Sequence, residues 1–136
     1  MDRVEFINKM IGVPWVNRAS SFDSVDCWGL VILYFDKVLG VKLPDVKGYR
    51  EKDDFNLCWN LEASNKHWAK VENPEPGSIV FTCYKNDKPT HVGVVLSRTK
   101  VLHTTGGLES AGSVQVNTIR AVEKIYGKMT YHKFIG

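Results

Sequence analysis

The sequence predicts an α+β domain in which N-terminal helices pack on an antiparallel β-sheet. Helical signals dominate the first half of the chain, and from Pro74 onward short β-branched and aromatic runs alternate with turn residues. Helical segments followed by strand segments are typical of this fold class. The 136 residues suffice for one domain with its own core, and they contain no repeat and no linker-like tract. We therefore expect residues 1–136 to form a single domain.

The N-terminal segment begins with a short helix. An amphipathic pattern predicts this helix from Val4 to Ile11, and Gly12 and Pro14 are expected to end it.

A second helix contains the longest apolar run of the chain, Trp28 to Phe35. Asp23 or Ser24 is expected to cap its N-terminus, Asp26 to place an acid in its first turn, and Gly40 to end it. Because the run is apolar on every side, this helix is predicted to be the buried centre of the domain.

The second half of the chain is predicted to form the sheet. Polar turns separate its strand-like runs. The predicted strands are residues 78–84, 91–96, 101–103, 114–119 and 129–135, with a short helix at 120–126 before the last. Between the two halves, residues 46–71 have a helical period too weak to place.

Composition and charge argue against several functional classes. The net charge is +3, and the basic residues are scattered, so the sequence predicts no nucleic-acid partner. The N-terminus carries charges where a secretory signal needs apolar residues, and the longest apolar run is far shorter than the ~20 residues that span a bilayer. We expect a soluble protein that is made in the cytoplasm and does not insert into membranes.

Three cysteines, Cys27, Cys58 and Cys83, form no CxxC pair, and their odd number leaves at least one thiol free. Cys27 falls in the first turn of the second helix, where unpaired backbone N–H groups and the helix dipole stabilise a thiolate. The ordinary thiol pKa of about 8.5 is lowered at such positions. Cys27 is therefore the predicted nucleophile. A free cysteine is more often a small buried apolar residue, which is our interpretation of the other two.

Two histidines are predicted to be neighbours at one rim of the sheet. His91 begins one predicted strand and His103 ends the next, so a hairpin places them side by side. One imidazole can then take the thiol proton of Cys27 while the second holds the first in the right tautomer. The same three residues are also a possible zinc ligand set, but their spacing follows no recognised metal motif. We expect neither a metal nor another cofactor.

At these residues the sequence resembles the NlpC-type cysteine peptidases, papain-like domains that cut the peptide bridges of bacterial cell walls. Residues 22–44, with Asp-Cys-Trp-Gly at positions 26–29, are similar to that family's nucleophile helix. Trp rather than Ser after the cysteine is similar to copies found in phage tail assembly proteins. Further matches to the family's strands are residues 76–81, 91–95 and 131–136. The resemblance covers nearly the whole chain.

The resemblance implies a role for each site residue. Cys27 is the nucleophile, His91 the base and His103 the orienting residue, and the backbone N–H of Cys27 helps to form the oxyanion hole. Trp15 stands where the family commonly has a tyrosine whose hydroxyl points at the active site. We predict that Trp15 and Asp26 contact substrate, with a plain core aromatic as the alternative for Trp15.

The resemblance also implies a function. We expect hydrolysis of a peptidoglycan stem-peptide amide bond near D-glutamate, through a thioester intermediate, by a protein of the phage-tail type. Other phage tail proteins would then be partners, and the chain would be made in the host cytoplasm and incorporated in a virion tail. Two alternatives are a tail component that keeps the fold without cleaving, and a thiol amidase or acyltransferase that acts on a non-wall substrate.

Overall fold

The computed structural model of the protein describes residues 1–43 and 67–136. Its elements along the chain are α1 (Arg3–Met10), α2 (Cys27–Tyr34) with a π-helical continuation (Phe35–Leu39), β1 (Trp68–Val71), β2 (Ile79–Lys85), β3 (Lys88–Val95), β4 (Lys100–Thr104), β5 (Val114–Thr118), α3 (Ile119–Tyr126) and β6 (Lys128–Phe134). The predicted α+β class is confirmed. In the described ranges, no helix has the length and apolar character needed to cross a membrane.

The strands of the described residues form one sheet in the order β1-β6-β2-β3-β4-β5, and every neighbouring pair is antiparallel. A two-residue turn joins β2 to β3. Its residues, Asn86 and Asp87, have φ angles of 52° and 62°, as a type I′ hairpin turn requires. Because this turn is so short, β3 begins at Lys88 and not at His91 as predicted.

Helices cover both faces of the sheet. On the first face, α2 packs through Leu30 and Val31 against Val92 and Leu102, and all four are fully buried. On the second face, α3 packs through Val122. Six of the eight residues of α2 are buried, which confirms that this helix lies at the centre of the fold. The predicted end at Gly40 is also confirmed, because Gly40 has a φ of 68° at the C-cap.

The N-terminus of α2 is capped by Asp26, so the prediction of Asp23 or Ser24 as the cap is wrong. The carboxylate of Asp26 accepts a hydrogen bond from the Gly29 N–H at 2.7 Å. Ser24 is instead part of a local turn, in which its N–H donates to Ser21 Oγ. An N-cap side chain accepts from the third residue of the helix, and Asp26 is the residue at that spacing.

The close approach of this turn to the preceding loop gives a stability prediction. A Cβ on Gly29 would collide with the carbonyl oxygen of Ala19, which is backbone and cannot rotate away. Gly29→Ala is therefore expected to lower the free energy of unfolding by about 1–3 kcal/mol, the usual cost of overpacking. Chemical denaturation measures the effect. Gly107→Ala is the control, since its Cβ would meet only Ser110 Oγ at 3.8 Å; equal destabilisation by both changes would contradict this account.

The sequence did not indicate β1, because its four residues carry no strand pattern of their own. The strand exists through its partner: Trp68 pairs with Phe134 and Val71 with Tyr131 of β6. The rest of the weakly patterned segment, and the prediction that Cys58 is structural, lie outside the described residues. Cys83 is fully buried in β2, as predicted.

Candidate active site

The site lies where the N-terminus of α2 reaches β3. The pairing of β2 with β3 shifts by one residue beyond Cys83, which leaves Thr90 outside the regular ladder as a β-bulge. Bulges re-aim the side chains next to them, and His91 directly follows this one. Cys27 and His91 both line a cleft of about 460 Å³. The structure therefore brings the predicted nucleophile and the predicted base to one site.

The thiol of Cys27 is held beside two backbone N–H groups. Cys27 is the first residue of α2 and is half-buried. Burial raises its pKa far above the ordinary value, and the negative charge of Asp26 raises it further, while hydrogen bonds from the backbone N–H groups of Trp28 and Val92 lower it. The predicted lowering of the thiol pKa is therefore wrong for the free protein. Burial and the adjacent carboxylate outweigh the helix terminus.

His91 and His103 are hydrogen-bonded to each other. His91 Nε2 lies 2.9 Å from His103 Nδ1, and the two rings meet edge to face. The side chains lie on the second face of the sheet as diagonal neighbours across β3 and β4. Gly93 lies between them in the register and has no side chain to separate them; a Cβ there would meet the Phe81 ring at 2.5 Å. The predicted neighbourhood of the two imidazoles is confirmed, and their contact uses Nε2 of His91 and not Nδ1.

The orientation of the His91 ring is fixed by packing. Tyr126, the last residue of α3, stacks on the ring with a centroid separation of 3.9 Å and an interplanar angle of 14°. Thr90 anchors this tyrosine, since its hydroxyl donates to the Tyr126 carbonyl oxygen at 2.6 Å. His91 is 4% exposed, and burial followed by the neighbouring His103 holds its pKa well below the ordinary histidine value. His91 is therefore neutral at pH 7, as a proton acceptor must be.

A further polar residue, Asn117, contacts His103 on the side of the ring that faces away from His91. His103 is 2% exposed, and its Nε2 lies 2.7 Å from Asn117 Oδ1. Asn117, Tyr126 and Thr90 are among the site residues that sequence reasoning missed. A hairpin register would place Asn117 diagonal to His103, but that register depends on the conformation of residues 105–113, which the sequence does not specify.

Comparison with known proteins shows the family of this chain. A model of the NlpC/P60 family matches residues 12–135, which is most of the chain. The chain belongs to the NlpC/P60 family. Its members are, in general, cysteine peptidases or related hydrolases. The predicted family is confirmed.

Two similar proteins are informative about this NlpC/P60 chain. It is 27% identical over 99 residues to the tail tip assembly protein K of Escherichia phage N15. That match takes in 67% of this chain and 39% of the relative, so the chain spans about two fifths of the relative's length. The crystal structure of the NlpC/p60 domain of the peptidoglycan hydrolase SagA superimposes with a TM-score of 0.57 at 17% identity. It covers 93% of this chain and 92% of that one, which shows a shared fold.

The two residues predicted to contact substrate both line the cleft. Trp15 is half-buried there, so its side chain is not enclosed in the core. Its backbone N–H donates to the Gly112 carbonyl. Asp26 is 4% exposed, and its carboxylate accepts from the backbone N–H groups of Gly29 and Arg18. The main contribution of Asp26 to this NlpC/P60 site is therefore to hold the start of α2. Substrate contact by either residue stays a prediction.

The zinc alternative does not match the geometry. Within residues 1–43 and 67–136, no group of three or more His, Cys, Asp or Glu side chains is arranged to hold a metal ion. His91 Nε2 and His103 Nδ1 face each other at hydrogen-bond distance, and this uses one nitrogen of each ring.

The raised pKa of Cys27 gives a pH prediction. Only the thiolate reacts with iodoacetamide, so labelling of Cys27 in the free protein should keep rising with pH beyond the ordinary thiol value of about 8.5. Asp26→Asn removes a negative charge that raises the Cys27 pKa. Its labelling should therefore be faster at any given pH. Rates come from intact mass with peptide mapping, and fully buried Cys83 is the internal control. A labelling plateau below about pH 7 would mean a preformed thiolate–imidazolium pair instead.

Proposed function

We propose that this chain is a cysteine peptidase that hydrolyses an amide bond of the peptidoglycan stem peptide, next to D-glutamate. The observation that carries the proposal is the placement of Cys27, at a helix N-terminus, and His91, backed by His103, on one cleft. Membership of the NlpC/P60 family supports the chemistry. The peptidoglycan substrate is supported by the shared fold with the SagA domain and by the resemblance of the motifs.

The first half of the reaction is acyl transfer to the thiol. As substrate binds, Cys27 Sγ attacks the amide carbonyl carbon, and the thiol proton moves to Nδ1 of His91. This transfer starts from a neutral thiol and a neutral imidazole, because burial disfavours the charged form of both. The tetrahedral intermediate then collapses, the C–N bond breaks, and the His91 imidazolium gives its proton to the leaving amine. The product on the enzyme is a thioester.

The second half returns the enzyme to its starting state. Water attacks the thioester while His91 takes one of its protons; the carboxylic acid leaves and the proton returns to Cys27 Sγ. In both halves an oxyanion forms on the carbonyl oxygen. In the proposed mechanism the backbone N–H of Cys27, in the first turn of α2, donates to this oxyanion. The N–H of Gly29 is already taken by Asp26.

The proposed setting is a phage tail, where the enzyme would open the host wall. The similarity to tail tip assembly protein K supports this setting and suggests other tail proteins as partners. The alternative in this setting is a structural component with the same fold and no hydrolytic activity. The polar site argues for the enzyme, because a purely structural domain has no need of a buried histidine pair beside a cleft cysteine.

Digestion of purified peptidoglycan tests the proposal. The expected products are stem fragments that end at the bond next to D-glutamate, identified by mass spectrometry, and EDTA should not reduce their formation. Cys27→Ala protein is the matched control and should release none. Intact wall with a folded protein would favour the structural alternative. Activity only on soluble amide or ester substrates would favour a thiol acyltransferase.

A further inference from the structure

We propose that Asn117 is a positioning residue that sets the tautomers of both histidines and so keeps the Nδ1 lone pair of His91 directed at Cys27. The inference deepens the proposed function, and its test by turnover rests on that function. The geometry that carries it is a row of contacts: His91 Nε2 to His103 Nδ1 at 2.9 Å, and His103 Nε2 to Asn117 Oδ1 at 2.7 Å.

The direction of the protons follows from counting donors. A neutral imidazole has one N–H and one lone pair, and an amide oxygen can only accept. Oδ1 of Asn117 therefore requires the N–H of His103 on Nε2, which leaves a lone pair on Nδ1. This lone pair requires the N–H of His91 on Nε2. The one remaining position, Nδ1 of His91, must then carry the lone pair that accepts the thiol proton.

The count holds only if both rings are neutral, and their surroundings favour this. Burial lowers the pKa of both histidines, and the hydrogen bond to Asn117 partly offsets the lowering at His103. Cys27 from α2, Cys83 from β2 and Tyr126 from α3 lie around the pair, and burial raises the pKa of each, so none of the three adds charge at neutral pH. Asp26 and Glu109 also line the cleft, and Glu123 of α3 acts on Cys83. None of these carboxylates is among the groups that shift the pKa of either histidine.

The opposite amide orientation would disable the site. If Asn117 presented its NH₂ group, His103 Nε2 would accept, Nδ1 would carry the proton, and His91 would be forced to place its own N–H toward the thiol. A base in that tautomer cannot take a proton. The choice between two nearly isosteric amide orientations therefore decides whether the site is active.

Imidazole nitrogen NMR tests the tautomers without any substrate. Long-range proton–nitrogen spectra of the free wild-type protein should show N–H on Nε2 of both His91 and His103. Asn117→Leu keeps the approximate volume but removes the acceptor, so both rings should become tautomer mixtures. A wild-type spectrum with the proton on Nδ1 of His103 would overturn the inference, whether or not the protein proves to cut peptidoglycan.

Turnover on one purified muropeptide gives the kinetic arm. Asn117→Leu should lower kcat by about 10- to 100-fold, as loss of an orienting partner does, with little change in KM. Gln115→Leu is the matched control: Gln115 lies directly opposite His103 on the same face, and its loss should leave kcat and both tautomers unchanged. Equal effects of the two leucine variants would reduce Asn117 to a packing role and refute the proposal.

Asn117→Asp separates positioning from packing by its pH profile. The carboxylate still accepts the His103 N–H, but its charge raises the pKa of His103. Once protonated, His103 donates from both nitrogens and forces the N–H of His91 onto Nδ1. The aspartate variant should therefore match wild-type kcat at alkaline pH and lose activity at a higher pH than wild type as the solution is acidified. An acid limb identical to wild type would contradict the proposal, and this variant still decides the matter if the leucine variant fails to fold.

Discussion

Replacing Cys27 with alanine should abolish peptidoglycan hydrolysis while leaving the protein folded. In the proposed mechanism Sγ of Cys27 forms the thioester, and no other residue of the described cleft supplies a thiol. Loss of a triad nucleophile in a comparable hydrolase lowers kcat by a factor on the order of 10⁶, and we expect a loss of that size. The measurement is the rate of fragment release, with thermal melts to show that the variant is folded.

Cys83→Ala is the matched control for this prediction. Cys83 is fully buried in β2, directly opposite His91 in the strand register, so it is close to the site but turned into the core. The variant should keep its turnover and lose only some stability, because alanine leaves a small cavity. Cys58→Ser should also remain active. Equal loss of activity in all three variants at unchanged melting temperature would refute Cys27 as the nucleophile.

The second large effect concerns His103, whose loss should cost a factor of about 10²–10⁴ in turnover. In the proposed tautomers His103 accepts the His91 N–H, and without His103 this hydrogen bond to Nε2 of His91 is lost. Stacking on Tyr126 restrains the ring plane but cannot select its tautomer. The measurement is kcat on one muropeptide for His103→Ala, with melting curves alongside.

Amide variants at the same position show which property of His103 matters. Orientation needs a hydrogen-bond acceptor and not a titrating group, so His103→Asn and His103→Gln should restore part of the lost turnover. Asparagine is expected to do better, because its Oδ1 occupies the position of His103 Nδ1, the atom that contacts His91. If both folded amide variants are as inactive as the alanine variant, His103 itself transfers a proton, and the orienting role assigned to it is wrong.

Local signals in the sequence were sufficient for most of the elements and for the choice of candidate reacting groups. The all-apolar run of α2, ended by Gly40, predicts a buried central helix wherever the rest of the chain lies. His91 and His103 flank a hairpin, and hairpin geometry alone makes them neighbours. These features depend on residues close together in the sequence, which is why pattern and turn chemistry identify them.

Tertiary structure decided the features that depend on distant residues. The strand β1 is defined by its pairing with β6. The side chain of Asp26, the N-cap of α2, is also held by the backbone N–H of Arg18 in the preceding loop. The pKa of Cys27 is set by burial, a property of the whole fold that a helix-terminus argument omits. Asn117 joins the histidine pair through the register of β4 and β5. Local sequence thus determines most of the elements and the candidate reacting groups, whereas protonation states and proton directions depend on which distant side chains the fold brings into contact.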